Sequence, residues 1–125
     1  MQNNNDQKDP ERLLDQILWQ NRKSYIDLCE QYLSSKIDCE EIVDNFSVLH
    51  RNHNNESEGL PSHPERLEKI QIISKSKGFA DLIESMFSFC HWVDVEETDD
   101  NSIYFSENRF RNGISLILQK LKDYN

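Results

Sequence analysis

The side chains best suited to bind a metal are those of the histidines and cysteines, and their spacing argues against a metal site. His50 and His53 are three positions apart, His63 stands alone, and Cys90 precedes His91. Zinc sites combine such side chains at recurring short spacings, and none of these pairs matches a zinc finger or an HExxH helix. We therefore expect surface histidines and a buried thiol, with no metal and no other cofactor.

Sequence patterns of known catalytic sites are also missing. The chain has no GxSxG nucleophile elbow, no phosphate-binding loop and no GxGxxG motif. Its carboxylates cluster in one segment instead of forming a defined pair. We therefore expect a protein that is not an enzyme, has no catalytic residue and takes no small-molecule substrate.

The clearest signal is the distribution of charge. The chain has 125 residues, with 14 Lys and Arg against 23 Asp and Glu and a net charge of −9. Residues 78–108, the acidic segment, hold eight of these acids and no Lys or Arg. Five of the eight fall in a turn-rich stretch that we call the acidic loop, residues 94–101. A field of this sign repels phosphate backbones and anionic lipids, so we expect no nucleic-acid or membrane partner.

Two explanations of the acidic segment are open. It can be a solvated loop that keeps the protein soluble, or a docking surface for a basic partner that relieves the repulsion among its charges. Trp92 and Tyr104 flank the loop, and aromatic side chains among charges are typical of interface hot spots, although core packing would also explain them. The candidate binding residues are Asp81, Glu84, Trp92, Asp94, Glu96, Glu97, Asp99, Asp100, Tyr104 and Glu107.

Helices must position these residues, because three Gly and three Pro are too few for the turns of an all-β protein. Residues 1–8 predict a disordered tail, and residues 9–125 a single domain. Pro10 predicts the start of a first helical segment, either one helix to Lys36 or two. Asp38 and Glu41 predict a capping box for the next helix. We expect that helix to end in a polar surface loop at residues 51–59.

The second half predicts three more helices. A weak one should open near Ser62 and be interrupted by Gly78, after which the main core helix should run to about Val93. Ser106 predicts the N-cap of the last helix. Residues 103–105 could be extended, but the sequence offers them no partner strand. The predicted fold is all-α, an antiparallel four-helix bundle with an additional N-terminal helical segment.

Cysteine usage and hydropathy predict a cytoplasmic location. Cys29, Cys39 and Cys90 are an odd number without a CxxC spacing, and no N-terminal stretch is typical of a signal peptide. No apolar run approaches the roughly 18 residues of a membrane span. The cysteines should be buried or half-buried thiols.

Two segments resemble the colicin D immunity protein family, small acidic proteins that protect a toxin-producing bacterium from its own tRNA-cleaving toxin. The first is residues 24–46, SYIDLCEQYLSSKIDCEEIVDNF, in which a helix and a corner lead into a capped helix. The second is residues 78–122, in which an apolar helix is followed by acidic residues, DDNSIYFSENRFRNGISLILQKL and the end of a final helix. Together they cover a little over half of the chain.

The resemblance implies a four-helix bundle that covers the active site of a toxin's nuclease domain with acidic side chains in the place of tRNA phosphates. The implied partner is the basic nuclease domain of a colicin-like toxin. The toxin-binding role then falls on Asp94, Glu96, Glu97, Asp99, Asp100 and Glu107, with Asp81 and Glu84 if their helix face points the same way. Residues 1–23 and 52–77 depart from the family's pattern as additions. The alternative function is a small acidic helical adaptor or regulator that binds a basic partner protein.

Overall fold

The computed structural model describes residues 10–99 and 102–124 of the chain, which are all-α. The helices of this part are α1 (Pro10–Gln20), α2 (Arg22–Leu33), α3 (Cys39–Gly59), α4 (Pro64–Lys69), α5 (Lys75–Trp92) and α6 (Glu107–Asp123). A 3-10 turn, Leu60–Ser62, joins α3 to α4. The predicted tail at residues 1–8 and the candidate Asp100 lie outside the described residues.

The first helical segment is two helices, divided at Asn21. The side-chain amide of Asn21 donates to the carbonyl oxygen of Ile17 at 2.9 Å, and its backbone N–H donates to the same oxygen at 3.1 Å. An asparagine side chain that bonds to the nearby backbone in this way competes with the helical hydrogen-bond pattern. The helix is therefore interrupted at Asn21, whose backbone angles (φ −107°, ψ 23°) are not helical.

The predicted capping residues Asp38 and Ser106 are confirmed. Asp38 accepts a hydrogen bond from the backbone N–H of Glu41 at 2.8 Å, and the Glu41 carboxylate accepts one from the backbone N–H of Asp38 at 3.2 Å, which completes the capping box of α3. The Ser106 hydroxyl accepts a hydrogen bond from the backbone N–H of Arg109 at 3.2 Å and caps α6.

The predicted loop at residues 51–59 is wrong, because α3 continues through it to Gly59. His53 and Ser57 lie one helical turn apart and are buried. The His53 Nδ1 atom is 2.7 Å from the Tyr25 hydroxyl on α2, and the Ser57 hydroxyl donates to the carbonyl oxygen of Asn54. The inner face of this part of α3 is therefore polar, and apolar periodicity could not reveal it.

The predicted break at Gly78 is also wrong. The weak helix ends earlier, at Lys69, and α5 begins at Lys75 and runs through Gly78. A Cβ atom at Gly78 would collide with the ring and hydroxyl of Tyr124. Glycine is used here for close packing of the C-terminal Tyr124 against α5, and not to end a helix.

The main core lies among α2, α3, α5 and α6, and α1 adds Leu18 to it. Its largest fully buried side chains are Tyr25, Tyr32, Phe46, Phe79, Phe110, Ile42, Ile83 and Met86. A smaller cluster formed by Leu13, Ile17 and Leu60 holds the connection between α3 and α5 against α1. The three cysteines are free and buried, as predicted.

Candidate functional site

A short backbone bridge closes the acidic loop at its base. The N–H of Asp94 donates to the carbonyl oxygen of Phe105 at 2.8 Å, and the N–H of Phe105 donates to the carbonyl oxygen of Trp92 at 2.8 Å. Val93 and Phe105 thereby form an isolated parallel bridge. Residues 103–105 thus have no partner strand among the described residues, as predicted, and pair only through Phe105 with the residue that follows α5. Within the described residues this bridge belongs to no strand.

Two carboxylates of the loop stabilise its backbone. Asp94 accepts a hydrogen bond from the N–H of Glu96 at 3.0 Å, and its carbonyl oxygen accepts one from the N–H of Glu97 at 3.0 Å. The Glu97 carboxylate accepts hydrogen bonds from the N–H groups of Thr98 and Asp99 at 3.1 and 2.9 Å. Asp94 and Glu97 therefore shape the loop, and Asp94, Glu96 and Asp99 are exposed at its surface.

Trp92 and Tyr104 contact each other at the base of the loop. Their ring centroids are 5.8 Å apart, and the residues are 39% and 44% exposed. The edge of the His91 ring packs against Trp92 at 4.8 Å. This degree of exposure decides against core packing as the explanation of the two aromatic residues.

Exposed apolar side chains concentrate in the same region as the acids. Seven large hydrophobic residues are exposed in the described part of the chain, and five of them lie between residues 87 and 104. These five are Phe87, Trp92, Val95, Ile103 and Tyr104. An apolar patch with charged residues around it is the usual composition of a protein-binding surface.

Asp81 and Glu84 form a separate acidic group, nearer the start of α5. Asp81 is 4.0 Å from the Lys77 ammonium group, and Glu84 is 3.9 Å from the Nε2 atom of His50 on α3. Asp81 and Trp92 are eleven positions apart, which places them on one side of α5 but roughly 16 Å apart along its axis. The two acids therefore share the exposed side of α5 with Trp92 without joining the loop.

Glu107 faces a different part of the molecule. The Tyr32 hydroxyl donates to its carboxylate at 3.4 Å, and Asp38, Glu41 and Arg111 line the same cavity of about 320 Å³ between the corner after α2 and the start of α6. Burial, with a smaller contribution from Glu107, raises the pKa of Tyr32 to about 12. The structure thus brings Glu107 to the α2–α3 corner and not to the acidic loop.

Two exposed residues near the Trp92–Tyr104 pair, Phe87 and His91, were not among the candidates predicted from the sequence. Phe87 is one of the apolar residues of the predicted main core helix, but its side chain is exposed, and its ring is nearly parallel to that of His91 at 6.3 Å. On its other side Phe87 contacts His50, whose pKa is lowered by burial despite the nearby Glu84. The polar neighbours of Phe87 at one-turn spacing, Glu84 and His91, were the signal that it lies on the solvent face.

Other kinds of site have little support in residues 10–99 and 102–124. There, no three His, Cys, Asp or Glu side chains converge as metal ligands, and no helix combines the length and apolar character that crossing a membrane requires. Comparison with protein-family models, curated proteins and solved structures found no match. The function must therefore be inferred from the acidic loop and the exposed apolar side chains around it.

Proposed function

We propose that this protein is a bacteriocin immunity protein that binds the basic nuclease domain of a colicin-like toxin and neutralises it by covering its active site. One observation carries the proposal, namely that the acidic loop and five of the seven exposed large hydrophobic residues occupy the same stretch of chain. Apolar side chains supply binding energy and carboxylates select a basic partner. The resemblance of residues 24–46 and 78–122 to the colicin D immunity family supports the same conclusion.

In the proposed mechanism the protein covers the active site of the nuclease and catalyses no reaction itself. A nuclease that cleaves RNA must present Lys and Arg to the phosphates of its substrate. Carboxylates of the acidic loop, with Glu96 and Asp99 at its surface, take the place of those phosphates. The attraction between opposite charges accelerates association and makes its rate sensitive to salt.

The fold of the resembled family is part of the proposal. We infer that α2, α3, α5 and α6 form its antiparallel four-helix bundle and that α1 is an additional N-terminal helix. The packing of α2 against α3 and α6, and of α5 against the same two helices, supports this arrangement. The additional helix α1 packs extensively on α5 and α3, so it is an integral part of the fold. We place the protein in the cytoplasm, where its three free cysteines would stay reduced.

A pull-down followed by an activity assay tests the proposal. The wild-type chain is used as bait in a lysate of the source cell at low salt, beside a Glu96→Gln, Asp99→Asn variant and a Glu40→Gln, Asp44→Asn control. The control removes the same charge from the exposed side of α3. Any captured protein is purified and assayed for RNA cleavage with and without the bait.

We expect the wild type and the control to capture a basic nuclease domain, and the loop variant to capture about tenfold less of it. Added wild-type protein should then abolish cleavage of RNA. Capture of a partner that has no nuclease activity, or of a nuclease that stays active in the complex, would contradict this proposal. The alternative function, an acidic helical adaptor that binds a basic partner protein, would then take its place.

A further inference from the structure

The Trp92–Tyr104 pair combines several properties of a binding site for one particular side chain. We propose that these two rings receive an arginine of the partner protein, whose guanidinium group stacks on them and is attracted by the carboxylates of the acidic loop. The inference rests on the proposed function, since it takes the partner to be basic, and it adds which residue the partner uses as its anchor.

The pair is held in place before any partner arrives. The backbone bridge between Val93 and Phe105 fixes the chain next to both rings, with one of its hydrogen bonds accepted by Trp92 itself. The Phe105 ring packs on Phe89 at 4.8 Å, and the N–H of Tyr104 donates to the Ser102 hydroxyl at 3.1 Å. A preorganised pair loses little conformational entropy on binding, which favours affinity.

The polar atoms of the pair are available to a partner. Within residues 10–99 and 102–124, neither the indole N–H of Trp92 nor the hydroxyl of Tyr104 is hydrogen-bonded to another residue, and both residues are more than a third exposed. An aromatic residue with an apolar ring and a free polar atom is the type most enriched at binding hot spots.

Charge and shape select arginine as the occupant. The acidic segment contains no Lys or Arg of its own. The first cation after it, Arg109, lies over the Phe105 ring at 4.7 Å and donates to the carbonyl oxygen of Ser102, and not to the Trp92–Tyr104 pair. We therefore expect the cation for these two rings to come from another molecule. A planar guanidinium stacks on aromatic rings and binds carboxylates in a bidentate manner, which the compact ammonium of lysine does not. The chain already uses this contact internally, with Arg22 over Trp19 at 4.2 Å, Arg109 over Phe105 at 4.7 Å and Arg111 over Tyr32 at 5.0 Å.

The same charges argue against a second copy of this chain as the occupant. A two-fold interface through the Trp92–Tyr104 pair would place each acidic loop beside its symmetry mate. Like charges brought together in an interface oppose association. A basic segment of a different protein satisfies both the rings and the carboxylates.

Peptide titrations test the inference without knowledge of the partner. Nona-arginine and nona-lysine carry the same charge and differ in the group that carries it. Binding of each peptide at low salt is measured by calorimetry for the wild type, Trp92→Ala, Tyr104→Ala and a Leu116→Ala control, whose side chain is also exposed but lies on α6. In a Trp19→Phe background Trp92 is the remaining tryptophan, and its emission reports whether the peptide reaches the pair.

We expect the wild type and Leu116→Ala to bind nona-arginine about tenfold more tightly than nona-lysine, with a saturable change in Trp92 emission. Trp92→Ala and Tyr104→Ala should reduce that preference to about twofold and leave nona-lysine binding almost unchanged. Equal binding of the two peptides, or a preference that survives both substitutions, would overturn the arginine site and leave the basic partner in place. Failure of the wild type to bind either peptide would count against the proposed function as well. Sedimentation that shows a dimer dissociated by Trp92→Ala would instead assign the pair to a second copy.

Discussion

Asp15 is a carboxylate that the fold places in an unfavourable environment. It lies on α1 beside a cavity of about 560 Å³ that Lys77 and Ser76 also line. Burial raises its pKa from 3.8 to about 6, Glu11, Asp81 and Glu84 add to the shift, and Lys77 opposes it. Because the pKa is higher in the folded state, the ionised carboxylate lowers the free energy of unfolding above about pH 6, and this effect fades as the pH falls towards 4.

We therefore expect Asp15→Asn to stabilise the protein by about 1 kcal/mol at pH 7.5, an amount that allows for solvent screening of a partly exposed group. The gain should disappear near pH 4. Urea denaturation at both pH values measures it, with Asp44→Asn, an exposed residue on α3, as a control that should change stability little. A gain that grows as the pH falls would contradict the assignment.

Ser35, two residues after the end of α2, has a backbone conformation that favours glycine. Its φ is 64°, the positive value of a left-handed residue, and its N–H donates to the carbonyl oxygen of Tyr32 at 3.0 Å. The next N–H, of Lys36, donates to Gln31 at 2.8 Å and completes a helix-ending turn.

Ser35→Gly should raise the free energy of unfolding by about 0.5–1 kcal/mol, because glycine adopts positive φ without the steric cost of a Cβ atom. Ser34→Gly is the matched control, since its φ of −89° suits any residue and glycine there should give no gain. Chemical denaturation of the two variants compares them directly. Equal effects of both substitutions would show that the left-handed conformation is not the cause.

At the scale of elements, α5 and α6 meet through a glycine. A Cβ atom at Gly113 on α6 would collide with the ring of Phe89 on α5. Phe89 in turn packs against Phe105, which closes the acidic loop. The approach of these two helices therefore determines where the base of the loop lies.

Gly113→Ala should destabilise the protein by about 1–2 kcal/mol, because the collision outweighs the gain in helix propensity of about 1 kcal/mol. It should also shift the emission of Trp92. Thermal unfolding measures the first effect and fluorescence in the Trp19→Phe background the second. Gly59→Ala, where nothing lies within 4 Å of the new Cβ, should be neutral or slightly stabilising. Equal stability changes at the two glycines would contradict the close contact.

The helix boundaries that could be predicted from the sequence are those determined by contacts between residues close together in the chain. The caps of Asp38 and Ser106 each join a side chain to a backbone N–H three residues away, so the local sequence contains the whole interaction. The length of α3 depends instead on His53 meeting Tyr25, 28 positions earlier. Gly78 continues a helix because Tyr124, far along the chain, packs on it. Such contacts exist only once the fold has formed.

At the scale of the whole molecule, the rate of association with the partner should depend more on where the negative charges lie than on the total net charge. We expect Asp99→Lys with Asp100→Lys to slow association with the proposed nuclease domain about 10- to 100-fold at low salt. Thermal stability should change little. The difference should shrink at high salt, because ions screen the attraction between exposed charges.

Stopped-flow association rates over a series of salt concentrations provide the measurement. Glu40→Lys with Asp44→Lys is the control, because it changes the net charge equally on the exposed side of α3. If the control slows association as much as the loop variant does, net charge alone steers binding and the loop has no special role.

The candidate surface was predictable in its charge and not in its shape. The number of acids in residues 78–108 can be read from the sequence. The direction of each side chain depends on how α5 and α6 pack, so the sequence could not show that Glu107 contacts Tyr32 while Phe87 is exposed. The positions of Glu107 and Phe87 differ from expectation because the periodicity of a sequence assigns residues to the faces of a helix only approximately.

The buried cysteines make this chain suitable for site-specific labelling. Burial raises the pKa of Cys29 and Cys90 to about 12 and that of Cys39 to about 11, so little reactive thiolate forms at neutral pH. A thiol reagent should modify all three rapidly only in denaturant. A cysteine introduced at the exposed Ile103 would then be the one fast-reacting thiol of the folded protein, and a fluorophore there could report partner binding without first replacing the native cysteines.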